Sequence, residues 1–147
     1  MSKRPKIGDI IEFMLPDGGR GYAQYTHKHK TYGALVRIFQ VRSQVTDISI
    51  LEKAQHQFTT FFPLGAAVKR EVVSLVGNLP IRGKFKEFPT FRAGVPNNQG
   101  EVETWWLWDG ENEKQVGKLT TEQMKYPIRG VINDTLLVER ICSDWRG

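Results

Sequence analysis

The sequence predicts a mainly β fold of the β-rich α+β class, a strongly curved antiparallel sheet or partial barrel with one or two short helices. Two observations predict it. Short runs of β-branched and aromatic residues recur closely through residues 9–41 and again through 102–119. Turn signals rich in Gly, Pro, Asp and Asn separate those runs.

Residues 10–14 are short and apolar, and Leu15-Pro16-Asp17-Gly18-Gly19 ends them with a strong turn. Residues 22–26 resume an extended pattern, His27-Lys28-His29-Lys30 form a polar break, and residues 34–41 alternate from Leu35 onward as a half-buried strand does. Thr46-Asp47 has the chemistry to cap a short helix through Ala54. Residues 58–62 and 72–76 are expected strands, separated by Pro63 and Gly65, and residues 77–80 a turn or loop. Residues 82–100, punctuated by Pro89, Pro96, glycine and asparagine, read mainly as loop with a strand near Phe88 to Phe91. Residues 102–108 are an expected strand, joined through Asp109-Gly110 as a hairpin to residues 115–119. Thr120 and Gln123 have capping-box spacing for a short helix through Lys125 before Pro127. Asn133 or Asp134 is positioned to cap a last helix with Leu137, Val138 and Ile141 on one face. The expected core includes Phe13, Tyr22, Leu35, Ile38, Val76 and Trp106.

At 147 residues the chain is expected to be one domain, residues 1–147, with residues 1–6 a basic arm. No apolar run approaches the roughly 20 residues a membrane-spanning helix needs. The arm is not followed by an apolar stretch, so no secretory signal is read there. The lone Cys142 excludes an internal disulfide framework and suits a reducing compartment, so the expected location is the cytoplasm. The net charge of +5 is segregated. Eight Lys/Arg face three Asp/Glu in residues 1–43, whereas Glu101, Glu103, Asp109, Glu111, Glu113 and Glu122 outnumber Lys114 and Lys118 in residues 101–122.

No catalytic constellation emerges, and the chain reads as a binding protein without catalytic residues or cofactor. His27 and His29 would leave one face of a strand, yet no carboxylate or thiol nearby completes a metal site. Cys142 lacks a neighbour that would lower its pKa and reads as a buried, inert thiol. Glu101 and Glu103 share a strand face, where two glutamates mark solvated surface rather than an acid/base pair. Tyr22, Tyr25 and Tyr32 beside Lys28 and Lys30 have the chemistry to stack on and neutralise single-stranded nucleic acid, which is the rival functional class.

The opening Lys6-Ile7-Gly8-Asp9-Ile10-Ile11-Glu12-Phe13-Met14-Leu15-Pro16-Asp17-Gly18, followed by Gly21-Tyr22-Ala23-Gln24-Tyr25, resembles the start of the immunity protein 26 family of bacterial polymorphic toxin systems. Residues 32–39 and Val76-Gly77-Asn78-Leu79-Pro80 also sit where similar family segments fall, so the resemblance spans about residues 6–141. Two departures stand out: Ser74-Leu75-Val76 replaces a region that often carries tryptophan, and the insert at residues 26–31 has no fixed counterpart. The resemblance implies a cytoplasmic protein that binds one cognate toxin domain and occludes its active site.

Alternation in residues 101–108 puts Val102, Thr104, Trp106 and Trp108 on an inward face, and Glu101, Glu103, Trp105 and Leu107 on the other. Trp105 then either covers a second small cluster, is shielded by the 82–100 loop, or stands exposed as an interface anchor, a role in which tryptophan is enriched. With Glu101, Glu103, Asp109, Glu111 and Glu113 around it, an exposed Trp105 would suit a toxin with a basic cleft, such as a nuclease.

Overall fold

The computed structural model describes residues 4–145; the first three residues of the expected basic arm lie outside them. Strands β1 (Asp9–Met14), β2 (Arg20–His29), β3 (Gly33–Phe39) and β4 (His56–Phe61) form an antiparallel meander. Helix α1 (Leu64–Lys69) then carries the chain back to β5 (Ser74–Asn78), which pairs with β1, giving the order β4-β3-β2-β1-β5. A second antiparallel sheet contains β6 (Phe91–Ala93), β7 (Trp105–Trp108) and β8 (Glu113–Gly117), and helix α2 (Asp134–Cys142) closes the order. Single 3-10 segments occupy Ile48–Lys53, Gly83–Lys86 and Gln123–Lys125. Neither sheet closes into a barrel, which leaves the curved, open alternative of the expected fold.

Local chemistry sets the first hairpin. Asp17 accepts the backbone N–H of Gly19 at 2.8 Å, and Gly18 takes a φ of 89°, a conformation that favours glycine. Gly19 is needed for another reason, since a β-carbon there would strike the carbonyl of Arg42. A bulge between Tyr25 and His27 bends β2 against β3, and another between Ile10 and Ile11 bends β1 against β5.

Each face of the five-stranded sheet is buried differently. On one, Ile11, Phe13, Ala23, Tyr25, Val36, Ile38 and Phe58 pack with Leu64 and Ala67 of α1 and with Leu137 and Ile141 of α2. The opposite face is divided. Ile10, Tyr22, Phe39 and Leu51 form one cluster, while Leu35 and Phe61 meet Phe91 and Trp108 of the second sheet in another. Between these clusters lie two buried polar side chains, Gln24 and Arg37, paired across β2 and β3. Residues 127–132 tie the sheets together, bridging to Arg92 of β6 and then to Phe61 of β4.

Several expectations change. The expected strand over 102–108 is ordered as β-sheet only from Trp105; Val102 makes an isolated bridge to Pro96. Val76 is exposed because the bulge pairs Ile10 with Gly77 and Ile11 with Leu75, skipping Val76 and turning Leu75 inward instead. Cys142 is exposed because α2 points Leu137 and Ile141 at the core, and the next residue lies about 100° further round the helix. Among the described residues, no helix is long and apolar enough to cross a membrane.

Candidate partner-binding site

The β7–β8 hairpin is built by its turn. Asp109 accepts the N–H groups of Glu111 at 2.9 Å and Asn112 at 2.8 Å, and these bonds hold its carboxyl below the usual carboxylate range. Gly110, at a φ of 104°, lies against the Phe88 ring and gives its carbonyl to the His29 Nε2–H at 2.8 Å. Glu101, Glu103, Glu111 and Glu113 are all exposed, as is Asp109. Glu103 accepts an amide N–H of Asn97 at 3.1 Å, and Glu113 pairs with Arg129.

Trp106 and Trp108 do share one face, as alternation requires, but only Trp108 is covered. It is 5% exposed beneath Phe61, Phe88 and Phe91, while Trp106 is 37% exposed. Cover from the first sheet stops between them, so the expected inward placement of Trp106 fails at that edge. The exposed ring instead lines an open concavity of about 430 Å³ with Val95, Glu103, Glu113 and Arg129. Trp105 is half-buried on the other face, with the Arg92 guanidinium 5.4 Å from its ring and Gly94 close beneath it. The most exposed tryptophan of the hairpin is therefore Trp106, one position along from the expected anchor.

The rival nucleic-acid residues are not brought together as a stacking platform. Tyr22 and Tyr25 are buried on opposite faces of the sheet, in separate clusters. Tyr22 donates to Glu12 at 2.6 Å and accepts the N–H of Val45 at 3.0 Å. Tyr32 is half-buried and stacks on Phe61 at 5.2 Å, leaving Lys28 and Lys30 exposed without exposed aromatic partners from this set. The physical reason is that aromatic residues on central strands fill cores.

The two histidines that would leave one strand face, His27 and His29, are both engaged in hydrogen bonds. His29 Nδ1 accepts the N–H groups of Thr31 and Tyr32 at 3.1 and 3.2 Å, which places the ring proton on Nε2, facing Gly110. His27 reaches Thr26 Oγ1 at 3.1 Å and the Lys86 carbonyl at 3.0 Å. Among the described residues, no three His, Cys, Asp or Glu side chains gather as a metal-binding group.

A separate cleft of about 500 Å³ escaped sequence reasoning because its walls come from β2, β3, β4 and residues 84–90 and 125–127. Arg37 forms part of its wall, and burial pulls that guanidinium below its ordinary pKa. One signal was available: Arg37 interrupts the inward set Leu35, Arg37, Phe39 of an otherwise apolar strand. No family model matches the chain, and no curated protein or solved structure matches it significantly.

Proposed function

We propose that this protein is an immunity protein that binds a cognate polymorphic toxin domain and neutralises it by occluding its active site. The family reading is supported by the ordered motifs at residues 6–18, 21–25 and 76–80. The observation that carries the binding surface is Trp106, exposed in a concavity that it shares with Glu103 and Glu113. A large ring at a partly open site can fill a pocket on a partner at low entropic cost, and interface hot spots are enriched in tryptophan. Glu101, Asp109 and Glu111 extend the acidic rim along the same hairpin region. Such a rim complements a basic surface, and a toxin that cleaves nucleic acid presents one where it binds phosphates.

The test takes as candidate toxin the C-terminal domain of the protein encoded directly upstream of this gene. Its affinity for the native protein and for Trp106→Ala is measured by calorimetry, with the thermal midpoint of each variant as a control. The expected loss is about 2 kcal/mol or more at an unchanged midpoint. Glu103→Lys should slow association, an effect that diminishes at high salt. Undiminished binding by Trp106→Ala would remove this surface, and absence of any complex with the toxin domain would remove the immunity reading. A steep salt-dependent affinity for single-stranded nucleic acid would favour the rival class instead.

A further inference from the structure

Arg37 carries a buried charge for which the fold supplies only part of a hydrogen-bond shell. The residue is 8% exposed, and its guanidinium lies 4.5 Å from the Phe39 ring centroid and 4.1 Å from that of Phe85. Nε donates to Gln24 Oε1 at 3.0 Å. Gln24 is itself fixed, its amide N–H groups reaching the carbonyls of Leu79 at 2.9 Å and Gly8 at 3.4 Å. Among the described residues, no carboxylate pairs with Arg37 and no acceptor meets its two terminal amino groups. Yet no fully buried side-chain nitrogen or oxygen among them lacks a partner. The terminal amino groups must therefore reach the surface of the cleft that Arg37 lines.

That arrangement is specific. The rings flank the guanidinium and Nε is committed, so the edge left for a ligand is the pair of terminal N–H groups, the fork that grips an oxyanion in two parallel bonds. The cleft volume of about 500 Å³ lies in the range of small-molecule sites. Lys84 and Lys125 also line it, against the single carboxylate of Glu87, while Phe85, Phe88 and Tyr126 provide apolar walls.

We infer that the cleft binds a small organic phosphate with a planar apolar body, its phosphate meeting the terminal amino groups of Arg37. Phosphate suits the excess of cations over carboxylates, and an aryl body suits the aromatic walls. This inference does not rest on toxin binding: the cleft shares no lining residue with the Trp106 concavity.

Phenyl phosphate is the probe, titrated into the full chain at constant ionic strength, with inorganic phosphate and sodium chloride in parallel. The expected result is a saturable rise in thermal midpoint with phenyl phosphate, weaker with inorganic phosphate and absent with chloride. The Arg37 guanidinium resonances should shift along the same saturation curve. Arg37→Met should abolish binding, and Lys84→Ala should weaken it by about threefold to tenfold. If Arg37→Met does not fold, the guanidinium titration of the native protein decides the matter together with Lys84→Ala. Phenyl phosphate effects that track ionic strength, or Arg37 resonances that stay fixed while the probe saturates, would overturn the inference.

Discussion

Ile38 shows how a single side chain reports on the sheet. It is fully buried on the face shared with both helices, opposite Ala23 on β2 and Phe58 on β4. Ile38→Ala leaves a cavity that close-packed neighbours fill only partly, and should cost about 2–5 kcal/mol in chemical denaturation. Tyr22 makes a different prediction. Burial first, then its hydrogen bond to Glu12, raises its pKa above the ordinary 10.0. The folded state thus favours the protonated phenol, and that stability is complete below pH 10.0 and lost as pH rises through the raised folded value. Midpoints measured from about pH 8 upward should fall in this alkaline window, and less steeply for Tyr22→Phe. Tyr22 had two sequence readings, core residue and stacking platform. Packing decides between them, because the ring is buried in the cluster with Ile10, Phe39 and Leu51.

At the scale of elements, caps and turns were the most legible features, since they are satisfied within a few residues. Asp47 accepts the N–H of Ser49 at the start of its short 3-10 helix. Thr120 and Gln123 exchange reciprocal bonds at 3.0 and 3.1 Å, as a capping box should. Asn133 caps α2 by accepting the N–H of Leu136 at 2.8 Å, and Asn133→Ala should cost about 1 kcal/mol, read as a lower thermal midpoint. Helix α1 was hidden by Pro63 and Gly65, which read as loop punctuation. Leu64 and Ala67 nonetheless recur at helical spacing and are buried together, so tertiary packing outweighs the glycine. Gly21 illustrates a constraint that propensity does not carry: an added β-carbon would strike the Phe13 ring. Gly21→Ala should destabilise by about 1–3 kcal/mol, a cost measurable in urea.

Across the whole molecule, His29 adds a second tie between the sheets beside that of residues 127–132. Its ring connects the end of β2 to the hairpin turn at Gly110, accepts two backbone N–H groups and stands 4.9 Å from Trp108. Removing it strands those polar groups and unpacks the aromatic cluster. His29→Ala should therefore cost about 1–3 kcal/mol and change the fluorescence of Trp108, while an unchanged spectrum and midpoint would show that His29 contributes nothing to the join. The sequence placed His29 in a polar loop because lysines flank it; only the tertiary structure brings the Gly110 carbonyl and the rings of Phe61, Phe88 and Trp108 to it.

What the sequence by itself determined was the β-rich class, the meander through residue 39, the β7–β8 hairpin and the caps. Those follow from residue periodicity and from hydrogen bonds between near neighbours. Tertiary structure alone decided which tryptophan is uncovered, because Trp106 and Trp108 share a face and differ only in where the opposing sheet ends. It also decided that Arg37 lines a cleft, since the rings and walls around that charge come from segments separated by tens of residues. Alternation fixes the side of a strand to which a residue points, but the environment it meets there belongs to the packing of distant segments.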